Sequence, residues 1–324
     1  MIHHFLINPA AGKGSYTEAL ARKIRRACSN CGVTYCIYTT KRPGDATDYV
    51  RAAVAENPNE KHRFYACGGD GTLSETINGA PCAENAEFAV IPIGTGNDFE
   101  RNFTGLDNFF DIERQINGRV VKIDILRCND RYALNMINIG FDSNVAKKTG
   151  EIKRSPMVPT GLAYVAGVAI TFCKPFGTKM DITLADGTHI HDSLMLTAIA
   201  NGAFCGGGFK ATPRASLTDG LLDICVINKV TRMKFLQLIG SYKKGTHLEL
   251  PMAQDVIRYY QTPSVDFKFD APLGICIDGE IEMNDHINIS IVPHALSFSI
   301  PEGSGLAEEE AVQAETEAPV ASVH

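Results

Sequence analysis

Four short apolar runs, each followed by a helix-like stretch, fill residues 3–127 and restrict the fold more than any other feature of the sequence. The runs are HHFLIN, YCIYTT, RFYACG and FAVIPIG; helical patterns follow at 15–29, 46–56, 72–78 and 98–102, with another at 107–117. A strand that pairs in parallel with its predecessor needs a long crossover, and a helix supplies it. A parallel sheet with flanking helices is therefore predicted for this part. From about residue 120 the rhythm changes. VVKIDILRCNDRYALNMINIGF holds two β-rich runs joined by CNDR, and MDITLADGTHIHDSLMLTAIANG holds a hairpin with an Asp-Gly turn. GICIDGEIEMNDHINISIVPHALSFSI continues in strands, with helical insertions near 160–173 and 231–243. The expected organisation is an α/β domain over 1–127, a mainly β domain over 128–301 and a disordered acidic tail over 302–324.

That tail carries six glutamates, at 302, 308, 309, 310, 315 and 317, and no Lys or Arg. The formal net charge of the chain is −6, so residues 1–301 sum to zero. A neutral body without a basic stripe argues against nucleic acid as a partner. Apolar residues make up 44%, enough for globular packing, yet no run reaches the roughly 18 residues that a spanning helix needs. The nearest, GLAYVAGVAITF at 161–172, is expected to be a buried helix. MIHHFLINP enters a strand without the basic and apolar regions of a secretory signal, so a cytoplasmic location is expected. Ten cysteines are scattered, several inside apolar strands (Cys67, Cys128, Cys225), and are expected to be reduced core residues. Cys28 and Cys31 form a CxxC without a second pair. His189 and His191 share a strand face without a third ligand. Neither reads as a metal site.

Ligands gather where strand C-termini meet helix N-termini, and three such junctions have unusual sequences. In INPAAGKGSYTE, Pro9 and Gly12 shape a turn, Lys13 supplies a cation, and Ser15 with Glu18 has capping-box spacing. The first glycine of a Walker loop would fall on Ile7, so that signature fails. In CGGDGTLSE, Gly68, Gly69 and Gly71 can take positive φ and let backbone N–H groups approach a phosphate at a helix N-terminus. Asp70 would repel that phosphate unless a cation such as Mg²⁺ lies between them. Otherwise Asp70 merely turns the chain and Thr72 with Glu75 forms a capping box. PIGTGNDFERNF repeats the chemistry: Gly94 and Gly96 free the backbone, Thr95 offers a hydroxyl, and Asp98 starts a helix. Arg101 reads either as a phosphate or headgroup contact or as a solvated helix residue.

NPAAGKG, GGDGTLSETING, PIGTGNDFERNF and the late DGE at 278–280 together resemble the diacylglycerol kinase catalytic-domain family, particularly its soluble bacterial lipid kinases. GGDGT alone would also suit NAD kinases and phosphofructokinases. The Thr-Gly-Asn-Asp block and Asp-Gly-Glu favour lipid kinases. The resemblance implies an N-terminal α/β nucleotide domain, NAD kinase- or diacylglycerol kinase-like, and a C-terminal β-sandwich that carries the catalytic base. It places nucleotide contacts at Asn8, Pro9, Ala10, Ala11, Gly12, Thr40, Gly69, Asp70, Gly71, Thr72, Leu73, Ser74, Glu75 and Thr95. Asp70, Asp98 and Asp124 match an acidic network that holds catalytic Mg²⁺ partly through water, and Glu280 matches the general base. Ser216 and Leu221, through carbonyls, and Asp219 match a structural metal site. Taken alone, Asp124 is an ordinary strand-end residue and IDGEIE an Asp-Gly hairpin with exposed acids. Two departures are Glu100, where the family often has Ala, and Ser74, where it often has Asn.

The implied activity is ATP- and Mg²⁺-dependent phosphorylation of a membrane lipid, diacylglycerol above all. Other acceptors (a sphingoid base, phosphatidylglycerol, a polyprenol or NAD) and a non-catalytic nucleotide- or lipid-binding regulator are the alternatives. The implied partner is a lipid acceptor at a membrane surface that the enzyme visits transiently. Residues 146–165, with Lys147, Lys148, Lys153 and Arg154, read as a membrane contact or a solvated loop. A homodimer is left open.

Overall fold

The computed structural model describes residues 1–11, 16–141, 144, 145, 148 and 177–307. Gly12, Lys13 and Ser15, the 146–165 stretch apart from Lys148, the helix expected at 160–173 and the tail from 308 lie outside the described residues. The chain forms two compact units: Met1–Lys122 with the chain from Ser297 onward, and Ile123–Leu296.

The first unit has the predicted alternation. β1 (Ile2–Ile7), α1 (Tyr16–Cys31), β2 (Thr34–Thr39), α2 (Asp45–Glu56), β3 (His62–Gly68), α3 (Asp70–Asn78), β4 (Ala86–Pro92) and α4 (Ile112–Ile116) follow in order. The strands pair in parallel as β2-β1-β3-β4. β3 and β4 are buried at every position, so their central residues read as continuous apolar runs rather than alternating ones, and the charges they do carry, Arg63 and Glu87, are paired at 2.7 Å. On α1, Leu20, Ala21, Ile24, Ala27 and Cys28 recur at helical spacing and pack on Phe5, Ile7, Tyr65 and Ile91. Two expected helices are shorter than their patterns. Residues 98–102 make a single 3-10 turn over Phe99–Asn102, ended by extended Phe103. The 107–117 pattern breaks at Asp111, which leaves helical geometry and accepts hydrogen bonds from Glu113 N and Arg114 N to cap α4. Residues 302–307, expected to belong to the tail, are ordered. Leu306, their one large apolar residue, is buried and pairs with Phe103.

Three buried histidines lie on β1 and β3. His4 Nε2 and His62 Nδ1 are 3.0 Å apart, His4 Nδ1 is 3.0 Å from Tyr49 Oη, and His62 Nε2 is 3.0 Å from Asn57 O. A carbonyl only accepts, so His62 donates to Asn57 O through Nε2. Burial, with His62 beside it, lowers the His4 pKa from 6.5 to about 4; burial, with Arg63 nearby, does the same to His3. The unfolded chain therefore binds more protons than the folded one between these values, and stability falls as pH drops from 6.5 towards 4. Each histidine should contribute on the order of 2–3 kcal/mol to that loss. Glu100, raised to about 8 chiefly by burial, acts in the opposite sense between 4.5 and 8. The histidine contribution is thus the difference between wild type and His4→Gln in urea midpoints at pH 7.5 and 5; equal slopes would remove it.

The second unit is a β-sandwich. Its strands are β5 (Arg119–Cys128, begun in the first unit), β6 (Arg131–Ala133), β7 (Met136–Gly140), β8 (Thr178–Leu184), β9 (His189–Ala200), β10 (Phe204–Cys205), β11 (Phe209–Lys210) and β12 (Leu222–Asn228). After helix α5 (Arg232–Lys244) come β13 (Ile257–Thr262), β14 (Ser264–Ile277) and β15 (Glu280–Ile300). Pairing is antiparallel in the order β13-β12-β9-β7-β14-β15, with β8 joining β9 and β14. β14 pairs with β8 through Val265–Lys268 and with β7 through Ile275–Ile277, on either side of a register break, as strands do when they pass between layers. Ile137, Ile139, Ile199, Ile224, Phe267, Ile275, Ile287 and Ile289 fill the interior. α5 covers the other face of β7, β9 and β12 with Phe235, Leu238 and Tyr242. The Asp-Gly turn expected after β8 is present, with Gly187 at φ +86°. The last residues of β15 return to the first unit, where Ser297 and Phe298 pair in parallel with Glu87 and Phe88 of β4.

Candidate functional site

In the first unit the three glycine-rich junctions meet at the C-terminal ends of β1, β3 and β4. Asn8 ties the first to the second: its side-chain amide donates to Thr72 Oγ1 (2.9 Å), and its own Oδ1 accepts from Ala10 N (2.9 Å). Pro9 and Ala10 are exposed, Ala11 half-buried. Thr40, at the end of β2, donates its backbone N–H to Ile7 O (2.9 Å) beside them.

The glycines serve close approach and not, as expected, positive φ. None of Gly68, Gly69, Gly71, Gly94 and Gly96 is among the positive-φ residues. A Cβ on Gly94 would stand 2.4 Å from Gly69 Cα, and one on Gly68 2.1 Å from Thr72 Oγ1. The second and third junctions are thus held backbone to backbone, with Gly94 N donating to Gly68 O (3.0 Å). Nothing lies within 4 Å of a Cβ on Gly71, which leaves the first turn of α3 open. No side chain caps α3. Its N-cap is Gly69, and Thr72, the residue expected to start a capping box, is engaged by Asn8. Thr72 N and Leu73 N both donate to Gly69 O (2.9 and 3.1 Å), so it is the N–H groups of Asp70 and Gly71 that can serve an anion. Leu73 and Ser74 are buried, so neither side chain of these two nucleotide-contact candidates is open to a ligand, and Leu73 N is taken by Gly69 O (3.1 Å). The Glu75 carbonyl accepts from Thr47 Oγ1 (2.7 Å). Thr95 is exposed at the tip of the third junction.

Asp70 does two things at once. Its Oδ1 accepts from Asp98 N (2.8 Å) and Phe99 N (3.2 Å), which anchors the 3-10 turn, while its Oδ2 faces Gly96. A Cβ on Gly96 would be 2.8 Å from Asp70 Oδ2 and 3.9 Å from Asp98 Oδ2. The missing side chain therefore leaves a small space flanked by two carboxylate oxygens. Asp98 is buried and its Oδ1 lies 3.4 Å from Arg101 Nε, so Arg101 belongs to this cluster rather than to solvent alone. Glu100, noticed in the sequence only as a departure, is the third acid. Burial, reinforced by the charges of Asp70 and Asp98, pushes its carboxyl up to about 8, and its Oε1 has no hydrogen-bond partner.

Among the described residues no three His, Cys, Asp or Glu side chains converge as a metal cluster. The Asp70–Asp98 pair nevertheless suits Mg²⁺, which takes one or two carboxylates and completes its shell with water and phosphate oxygens. The two histidines of β9 both approach Asp181 on β8, not a metal cluster.

In the second unit Asp124 is fully buried, with a backbone N–H on each of its carboxylate oxygens. Its Oδ1 accepts from His294 N (2.7 Å), its Oδ2 from Gly220 N (2.7 Å), and its own N–H donates to Leu217 O (2.8 Å). It thereby fixes the loop that carries Ser216, Asp219 and Leu221. Within that loop Asp219 Oδ1 accepts from Leu221 N (3.0 Å), and Ser216 Oγ accepts from Thr218 N (3.2 Å).

Glu280 opens β15 directly after a tight turn, Asp278 (φ +45°) and Gly279 (φ +91°), with Ile277 paired to Glu280. The hairpin reading and the site reading thus describe the same residues. The Asp278 carboxylate accepts from Leu134 N, Asn135 N and Met136 N at 2.7–3.1 Å and pins the turn to the β6–β7 connection. Arg131 completes the arrangement. It donates through Nη2 to Glu280 Oε2 (2.6 Å) and through Nη1 to Glu282 Oε1 (2.5 Å). Nothing in CNDR marks Arg131 for this role; the only clue is its place at the foot of a hairpin.

The family model described as the diacylglycerol kinase catalytic domain matches residues 3–128, and that of the YegS C-terminal NAD kinase beta sandwich-like domain matches residues 135–300. A Shewanella frigidimarina protein named a probable YegS-like lipid kinase is 28% identical over 283 residues, 83% of this chain and 85% of its own. A Staphylococcus carnosus protein named diacylglycerol kinase is 27% identical over 278 residues, 85% and 87% of the two chains. The crystal structure of a diacylglycerol kinase from Bacillus anthracis has the same fold, with a TM-score of 0.67 at 22% identity, covering 93% of this chain and 97% of that one.

Proposed function

Because the chain belongs to the lipid kinase family that joins a diacylglycerol kinase catalytic domain to a YegS-type β-sandwich-like domain, we propose that it transfers the γ-phosphate of ATP, with Mg²⁺, to the hydroxyl of a membrane lipid. Diacylglycerol, giving phosphatidic acid, is the first acceptor in that class. The observation that carries this reading is the contact of two glycine loops, Gly69 against Gly94, beside an uncapped helix N-terminus and the Asp70–Asp98 pair.

Phosphoryl transfer asks for positioning and charge neutralisation more than covalent help. The N–H groups at the start of α3 would bind phosphate oxygens, and Asn8, through Thr72, would keep the first and second loops in register. Asp70 and Asp98 would hold Mg²⁺, which when bound neutralises phosphate charge. Glu280 would accept the proton of the acceptor hydroxyl as its oxygen bonds to the γ-phosphorus and the bond to the leaving ADP breaks. Arg131, bridging Glu280 and Glu282, would keep the Glu280 carboxylate oriented. Asp124, holding a backbone donor on each carboxylate oxygen, would anchor the 217–220 loop.

Transfer of label from γ-labelled ATP to a panel of diacylglycerol, sphingoid base, phosphatidylglycerol, polyprenol and NAD checks the assignment. Diacylglycerol should label most strongly. Labelling of NAD with none of the lipids would overturn the lipid reading, and no labelling of any acceptor would favour a non-catalytic regulator.

A further inference from the structure

α5 buries Phe235, Leu238 and Tyr242, yet its other side is not the polar surface expected of a helix that only covers a sheet. Met233 is 66% exposed and Leu236 56%, one turn apart. At 3.6 residues per turn, Met233, Leu236, Gly240, Lys243 and Lys244 fall within an arc of about 100° opposite the buried stripe. Met252, on the 3-10 turn that follows, is exposed as well. The helix RMKFLQLIGSYKK has four cations and no acid, in a chain whose net charge is −6. Lys210 adds a fifth beside its C-terminal end, since a Cβ on Gly245 would stand 2.7 Å from Lys210 Cδ. A second copy seated two-fold on this face would set these cations against their own equivalents. An anionic surface has no such conflict.

We propose that the exposed face of α5 docks on an anionic lipid bilayer, with Met233 and Leu236 entering the headgroup boundary and Lys243 and Lys244 meeting lipid phosphates. Interfacial helices bind in this way, through an apolar face in the boundary and basic residues around it. Lysine stems are long enough to cover apolar surface while the ammonium stays among the headgroups. The inference rests on the lipid-kinase reading for its membrane and adds to it the surface by which the enzyme would reach an acceptor held there.

Flotation of the full chain with phosphatidylglycerol–phosphatidylcholine vesicles, without ATP, tests it. Wild type should float with these vesicles, detach as salt rises, and stay behind with pure phosphatidylcholine. Each lysine is worth about fivefold in partitioning at an anionic surface, so K243Q/K244Q should lose roughly twenty-five-fold. M233S/L236S should lose at least about tenfold. Phosphorylation of a short-chain diacylglycerol dispersed as monomers should be unchanged in both variants. If that activity is absent already in wild type, the kinase reading fails while vesicle binding still decides the docking face. Undiminished flotation of both variants would overturn the proposal, as would a wild type that ignores anionic vesicles. A fall from dimer to monomer in M233S/L236S with lipid binding intact would give the face to a second copy and overturn it too.

Discussion

Replacing Glu280 by glutamine is expected to lower phosphoryl transfer by about 10²–10⁴-fold, the range associated with loss of a general base, while ATP binding is largely kept. Glutamine keeps the shape of the side chain and can still accept a hydrogen bond from Arg131, but it cannot take the proton of the acceptor. The fold should not respond. The Glu280 side chain is 47% exposed, and Arg131 retains Glu282 as a charged partner. Exposed ion pairs of this kind contribute at most about 1 kcal/mol. Single-turnover rates with bound ATP, compared with thermal midpoints of the two proteins, separate chemistry from folding. A variant with full turnover would exclude Glu280 as the base.

Asp70→Asn should cost about 10²–10³-fold in turnover, comparable to removal of one group that stabilises transition-state charge. The substitution is informative because it divides the two functions of this side chain. The asparagine oxygen can still accept from Asp98 N and Phe99 N, so the 3-10 turn keeps its anchor. Only the negative charge opposite Gly96 is lost. Turnover against Mg²⁺ concentration should then show a weaker metal requirement curve, shifted to higher concentration, with the thermal midpoint unchanged. Unaltered Mg²⁺ dependence would remove Asp70 from the metal site.

The order of elements is readable because each strand of the first unit is short, apolar and followed by a helical period, and the loops are readable because their glycines and carboxylates are unusual together. Physical detail inside those loops is less so. Glycine signals either positive φ or close approach, and only the three-dimensional contact of Gly69 with Gly94 decides for the second. Asp98 reads as a helix start, although the helix is one 3-10 turn whose anchor is supplied from Asp70, 28 residues earlier. Asp124 carries no local mark of burial, because its partners, Gly220 and His294, are distant in sequence. The same distance hides Arg131 from Glu280. HALSFSI reads as one more strand of the second half, and nothing in its pattern signals that its last residues return to the first.

That return bears on how the protein is made. β4 pairs on one side with β3 and on the other with Ser297 and Phe298, and Phe298 packs against Phe99 and Phe103. On a ribosome the first unit is therefore synthesised long before its final strand exists. Until about residue 306 has emerged, one edge of β4 stays unpaired and the aromatic cluster beside it stays open, the kind of edge on which nascent chains misassociate. The N-terminal unit thus begins first and finishes last, and a protein truncated before Ser297 should fail in the half whose other elements its remaining sequence all contains.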